Sequence, residues 1–200
     1  MRQTLLADFK PLTLEQRVNH WNQTFPDIPK TVYDKGWIYG VWYCGTTFRK
    51  STYYGQYTPN FLKKVKALFP DKRDILHVCS GTVTEDTTID LKRELRPTIC
   101  TDAQNLPLRE NSFDLVIHDP PYSKRDANVY YGVPYLSVPK VTKQSLRILR
   151  IGGFLCILDV RYPSYHRKEG WRLVGLIAIV TGFSKVTRML SIFQKGEKTQ

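Results

Sequence analysis

Short apolar runs that stop on a polar residue dominate the middle of this chain. Ile75 to Cys79 runs into Ser80-Gly81, Thr87 to Ile89 into Asp90, and Thr98 to Thr101 into Asp102. Phe113 to His118 then runs into Asp119, and Phe154 to Leu158 into Asp159. Runs of this length, bounded by turn formers, predict buried strands of a parallel α/β sheet, where ligands bind at the carboxyl ends. Helical spacing appears in two places. Phe61, Leu62, Val65, Leu68 and Phe69 form one apolar face, with Thr58 as the expected N-cap and Pro59 at the first helical position. A second helix is expected over about Val138 to Leu149, ahead of Gly152-Gly153. The tail differs: Trp171 to Val180 and Lys185 to Gln194 are β-rich runs joined by a short turn, and predict an antiparallel hairpin. A buried helix over the first of these runs is the alternative.

The first 57 residues are less regular. A short helix is expected around Leu12 to Trp21. Residues 33–57, crowded with Tyr, Trp and Phe, suit a ribbon or an ordered loop packed on the core. The domain expectation is an aromatic-rich extension over 1–57 and a catalytic unit over 58–200, together one structural domain.

Composition narrows the class. The chain has 200 residues, 42% hydrophobic and 12% aromatic, which are globular values. The N-terminus lacks the apolar stretch of a signal peptide, and Leu173 to Val180 is too short to span a bilayer. A soluble, cytoplasmic protein is expected, in a host cytoplasm if virus-encoded. Cys44, Cys79, Cys100 and Cys156 are scattered without a C-x-x-C pair, so reduced thiols, no disulfide and no metal are expected. The net charge of +12 is uneven. Residues 121–200 carry 14 Lys/Arg against 4 Asp/Glu, while residues 1–120 carry 16 against 14. Such asymmetry points to a polyanionic partner, foremost nucleic acid.

Candidate chemistry sits at the strand ends. Ser80-Gly81 forms a loop that lets backbone N–H groups approach a ligand. Asp90 is placed to take the hydroxyls of a ribose, or simply ends a strand. Asp102-Ala103 is placed to meet an adenine amino group, or Asp102 caps the next turn. Asp119-Pro120-Pro121-Tyr122 ends the fourth run, with Gly55-Gln56-Tyr57-Thr58-Pro59 upstream.

With D-P-P-Y at 119–122, "DAQNLPLRENSFDLVIHDPPYS" at 102–123, "GQYTP" at 55–59 and "LRILRIGGFLCILDV" at 146–160, the chain resembles class I S-adenosylmethionine-dependent methyltransferases. The nearest group is the amino-methylating one that includes DNA adenine-N6 and cytosine-N4 enzymes. The resemblance covers roughly 55–195. It implies a Rossmann-like, mostly parallel seven-stranded sheet with an antiparallel C-terminal hairpin. It further implies S-adenosylmethionine bound by Tyr57, Thr58, Pro59, His77, Val78, Cys79, Ser80, Gly81, Asp90, Asp102, Ala103 and Asp119. Asp119, Pro120, Pro121 and Tyr122 would be catalytic. The Asp119 carboxylate and the Pro120 carbonyl would grip an exocyclic amine, and Tyr122 would stack on an extruded base.

The family has an acidic residue where this chain has His77, and a second glycine where it has Val83. The link from Gly81 to Asp90 is too short for an ordinary crossover helix. Either that helix is cut to a turn, or residues 84–95 are the helix and the second strand is missing. The β-branched Thr87-Thr88-Ile89 favours the strand. His77 either faces the cofactor or is a core histidine. Ser123, Lys124, Arg125, Arg161, Arg167 and Lys168 fall on the expected rim, for phosphate contact. Tyr54 joins Tyr57 as a further site candidate. The resulting expectation is methylation of a base amine, adenine N6 in DNA before RNA, with room for a specificity partner protein. The alternatives are an RNA (rRNA or tRNA) amino-methyltransferase and a degenerate, non-catalytic nucleic-acid-binding domain.

Overall fold

Thr13 starts the first helix by a reciprocal cap. Its hydroxyl accepts the Gln16 amide at 3.2 Å, and the Gln16 side chain accepts the Thr13 amide at 2.9 Å. The computed structural model describes residues 11–45, 56–161, 170–182 and 186–197. Helix α1 is Leu14–Thr24, shifted toward the C-terminus from the expected span because the cap lies at Thr13. The aromatic ribbon follows as β1 (Val32–Asp34) and β2 (Trp37–Tyr43). Lys35 and Gly36, both at positive φ, make the tight turn between them, which suits a two-residue hairpin.

Helix α2 is Phe61–Leu68, and it corrects the expected start. Asn60, at φ 62, holds the N-cap position without a side-chain bond. Thr58 lies a turn earlier, where its carbonyl accepts the Phe61 amide at 3.1 Å. Packing explains the shift. Phe61 is fully buried and stacks on Tyr57 at 5.3 Å, so the chain turns over before the helix begins, and Asn tolerates the left-handed step.

The remaining strands are β3 (Ile75–Val78), β4 (Thr87–Asp90), β5 (Ile99–Cys100), β6 (Phe113–His118), β7 (Leu149–Asp159), β8 (Trp171–Val180) and β9 (Arg188–Lys195). Helix α3 (Lys124–Asp126) continues as a π turn through Tyr131, and α4 is Val138–Ile148. The nine strands among the described residues form one sheet, in the order β1-β2-β8-β9-β7-β6-β3-β4-β5. Strands β3 to β7 are parallel, in the doubly wound order β5-β4-β3-β6-β7. Strand β9 lies antiparallel between β7 and β8. This is the Rossmann-like sheet expected, with its C-terminal hairpin, enlarged at one edge by β2 pairing parallel with β8 and by β1 beyond it. The buried-helix alternative for Trp171 to Val180 does not occur.

Between β3 and β4 the chain makes its parallel return without a helix, and β4 is a strand. Register shows how. Thr87 begins β4 beside Leu76, two residues back from Val78, so the link has only about 7 Å to retrace along the strand and one strand spacing to cross. Short strands make the crossover helix unnecessary. Gly152 and Gly153 also depart from expectation. They lie inside β7, next to a register shift against β6, rather than in a turn before it. A Cβ at Gly153 would come within 2.9 Å of the Arg150 carbonyl oxygen, so only glycine fits the bulge.

Each sheet face has its own core. Val18, Trp21, Phe61, Val65 and Phe69 cover Ile117, Phe154 and Cys156 on one side. Val141, Leu146 and Ile148 of α4 cover Val116, Leu155 and Ile157 on the other. No helix among the described residues is long and apolar enough to cross a membrane.

Candidate active site at the carboxyl ends of the parallel strands

Strands β3, β4, β5 and β6 all point their carboxyl ends at one cavity, which encloses about 610 Å³ including its open mouth. Cys79 and Gly81 line it from the loop after β3, Asp90 from β4, Asp102 and Ala103 after β5, and Asp119 and Pro121 after β6. These are the predicted residues that the fold brings together. The opposite wall is Tyr131, Val133, Pro134 and Leu136, none of which was predicted. Their tract, YYGVPY at 130–135, carries a glycine and a proline soon after D-P-P-Y, and that loop punctuation was the available signal.

Asp90 holds the loop together. One carboxylate oxygen accepts the Gly81 amide and the other the Lys92 amide, each at 3.0 Å. A loop with no crossover helix behind it is thereby pinned to β4. Cys79 and Gly81 both sit at φ 56, which turns the loop sharply away from β3. Asp102 caps the next turn through the Gln104 amide at 2.9 Å, as one of its two expected roles has it, and it also lines the cavity. The Gln104 side chain donates to both Asp102 oxygens, and its carbonyl accepts the Ser137 amide at 3.0 Å. This fixes Asp102 against the start of α4.

Tyr122 donates its hydroxyl to Asp119 Oδ1 at 2.7 Å, and the Arg188 guanidinium lies 5.5 Å from the centre of its ring. Burial, then the Asp119 charge, pushes the Tyr122 pKa well above its usual value, so the hydroxyl stays a donor. Arg188 comes from β9, far along the chain, and nothing local in the sequence marked it. Burial first, then the negative charges of Asp90, Asp119 and Asp102, raises the Cys79 thiol as well. Three carboxylates, Asp90, Asp102 and Asp119, and one ammonium group, that of Lys92, thus line the cavity.

Other predicted residues stand apart from the cavity wall. Tyr57 lies beside it, with a buried hydroxyl that has no partner and a pKa raised by burial and then by Asp119. The Ser80 hydroxyl is likewise buried without a partner. Val78 packs in the core, and Thr58 is buried before α2. Pro59 is exposed, and Pro120 is buried between Asp119 and Pro121. His77 lies beneath α2 rather than in the cavity, since its ring meets Asp86 Oδ2 at 3.2 Å and the edge of Tyr57 at 6.0 Å. Ser123 caps α3 by accepting the Asp126 amide at 3.0 Å. Lys124, Arg125 and Arg161 are exposed. Arg167, Lys168 and Tyr54 lie outside the described residues. Among the described residues no cluster of three or more His, Cys, Asp or Glu side chains could hold a metal ion.

His118 is fully buried at the end of β6, and burial lowers its pKa to about 3. Burial also lowers that of His77. The His118 ring is neutral in the folded state, and the His77 ring holds a proton less readily than an unfolded imidazole, which titrates near 6.5. The unfolded chain therefore binds more protons once the pH drops below about 6.5. Stability is full above that value and falls toward the depressed folded pKa values, by at most about 1.4 kcal/mol per pH unit for each ring. Urea midpoints measured between pH 8 and 5 should decline below 6.5, and His118→Gln should flatten the decline.

No protein-family model matches the chain, and no curated protein sequence does. Solved structures with some likeness include TrmN from Thermus thermophilus, at 16% identity and TM-score 0.42, over 60% of this chain and 43% of that one. The chain thus spans less than half of TrmN. An rRNA methylase from Streptococcus thermophilus matches at 12% identity and TM-score 0.42, over 62% of this chain and 89% of its own. The N-methyltransferase NodS from Bradyrhizobium japonicum matches at 14% and 0.46, over 63% and 87%. The fold is Rossmann-like by its own strand order, independently of these likenesses.

Proposed function

We propose that this chain transfers a methyl group from S-adenosylmethionine to an exocyclic amino nitrogen of a nucleic-acid base, adenine N6 foremost. The observation that carries the reading is Asp119, at a strand end beside the cavity, held by Tyr122 and followed by two prolines. The cofactor fits the residues present. It is cationic at sulfur, and three carboxylates against one lysine, Lys92, line the cavity. The buried, unpartnered hydroxyls of Tyr57 and Ser80 lie beside it. When bound, it supplies an activated methyl on a positively charged sulfur.

The chain's own residues then have distinct tasks. The clasped loop of Cys79 to Gly81 forms the floor, with Asp90 keeping a second lone pair on each oxygen for ribose hydroxyls. Asp102, fixed by Gln104, faces the adenine end. Asp119 and the Pro120 carbonyl accept the two N–H groups of the target amine, which frees its lone pair for attack. The prolines contribute no N–H to compete. The resemblance points to DNA, and the assay includes RNA as its second arm.

Calorimetry with S-adenosylhomocysteine, followed by labelled-methyl transfer to single-stranded DNA and RNA with nucleoside analysis, tests the reading. Binding and labelled N6-methyladenosine or its deoxy form are expected. Asp102→Ala should weaken binding at least tenfold, the worth of a hydrogen bond to a charged group. Asp90→Ala should weaken it at least as much and also lower the melting temperature, since it frees the Gly81 and Lys92 amides. An Asp102→Ala protein that binds as the wild type does would remove the adenine assignment.

A further inference from the structure

Strand β2 alternates strictly. Ile38 and Trp42 are fully buried, with Trp42 stacked on Trp21 at 5.1 Å and donating its indole N–H to Thr31 at 2.8 Å. The other side of the strand carries Trp37, Tyr39, Val41 and Tyr43, which are 41%, 46%, 50% and 50% exposed. We infer that this face is a docking platform for single-stranded nucleic acid, whose bases stack on Trp37, Tyr39 and Tyr43. The inference deepens the proposed function by naming the surface that carries the substrate, and it rests on that reading only for where the strand leads.

Contiguous exposed apolar surface of this kind marks an interaction site. The platform has a floor. Leu176, Ala178 and Val180 of β8 lie opposite Tyr39, Val41 and Tyr43, and all three are half-buried. The spacing selects the ligand. Side chains on one face of a strand repeat about every 6.6–6.8 Å, twice the 3.4 Å rise of a stacked strand in a duplex. A polymer in register with these rings must have its bases separated from one another, each against a ring. A single strand can do this and a duplex cannot. Stacking of this kind tolerates any base, and tyrosine hydroxyls can still reach polar groups at the ring edge.

Charge selects between occupants. A second copy would bring two bodies of net charge +12 together, whereas a polyanion is attracted to both. Lys35 is exposed at the foot of β2, and Lys140 and Lys143 are exposed on α4, which covers the same sheet face further along. Asp34, opposite Trp37, is the one carboxylate on the described ribbon face. Direction completes the argument. Strand β2 runs parallel to β8 and, through β9, to β7 and β6. Tyr43 thus lies at the sheet end where Asp119 ends β6, and a strand laid along the rings is led to that edge.

The test is fluorescence anisotropy with labelled 12-mers of deoxythymidine and of uridine and a matched DNA duplex, at fixed salt. Wild-type protein should bind the single strands more tightly than the duplex, with quenching of Trp37 emission. The triple variant Trp37→Ala/Tyr39→Ala/Tyr43→Ala should lose at least tenfold in single-strand affinity, while Tyr39→Phe/Tyr43→Phe keeps most of it. Melting temperature and S-adenosylhomocysteine binding should be unchanged in all variants, so failure of the cofactor reading would be seen separately. Equal affinity of the triple alanine variant, preference for duplex, or a wild-type dimer that the triple variant dissolves would each overturn the platform.

Discussion

Asp119→Asn is expected to cut turnover on the order of a hundredfold, with the melting temperature barely changed. The replacement is close in size and turn preference, so strand β6 and the two prolines keep their course. What changes is the pattern of donors. The Asp119 Oδ1 atom accepts the Tyr122 hydroxyl at 2.7 Å. An asparagine can satisfy that hydroxyl through its amide oxygen, and its NH2 then takes the place of the second carboxylate oxygen, donor against the substrate's donor. The charge is also gone, and charge-assisted hydrogen bonds are about twice as strong as neutral ones. Tyr122→Phe makes the companion case. It keeps the ring under Arg188 and removes only the hydroxyl, so it should lower turnover about tenfold with little change in KM. Single-turnover methyl transfer separates both from effects on cofactor binding. An Asp119→Asn protein at the wild-type rate would end the amine-gripping mechanism.

The second large effect concerns stability. Arg17 is completely buried, with Asp71 accepting both of its terminal nitrogens, the Nη2 bond at 2.8 Å. Its guanidinium lies 5.3 Å from the Phe69 ring centre and 4.9 Å from that of Phe154. Asp71→Ala leaves this charge buried without its partner and should cost about 3–5 kcal/mol in urea unfolding. Arg17→Met/Asp71→Ala should recover most of the loss, because it removes the uncompensated charge. Burial alone would raise the Asp71 pKa, but the hydrogen bonds and charge of Arg17 outweigh it and hold the carboxyl below its usual range. The pair therefore contributes above the ordinary carboxylate pKa near 4, and its contribution is lost as the pH falls through the depressed folded value.

The two regions differ in how far they could be read from sequence. The strand ends at Cys79, Asp90, Asp102 and Asp119 were legible because each lies at a local boundary, an apolar run meeting a polar residue. The β-branched Thr87-Thr88-Ile89 likewise indicated β4 over a helix. Arg17 and Asp71 were not legible as partners, since each reads locally as solvated helix surface or helix stop and they meet only through the packing of α1 against α2. Arg188 was hidden in the same way. Thr58 and Pro59 misled because capping preference is weaker than the burial of Phe61. Among residues 33–57, periodicity alone could not decide between a ribbon and a loop. The Lys35-Gly36 turn and the pairing of β2 with β8 make a ribbon of residues 33–43, while 46–55 lie outside the described residues.

Both outer strands of the sheet are very short: β1 is Val32–Asp34 and β5 is Ile99–Cys100. Each leaves few open backbone N–H and C=O groups for another chain to pair with, and Asp34 puts a charge on one of them. Strand-by-strand growth into filaments is thus disfavoured at both margins of the described nine-stranded sheet. Cys100, an exposed free thiol on the β5 margin, remains open to an oxidation that links two molecules covalently. A reductant keeps that thiol from making an intermolecular disulfide on storage.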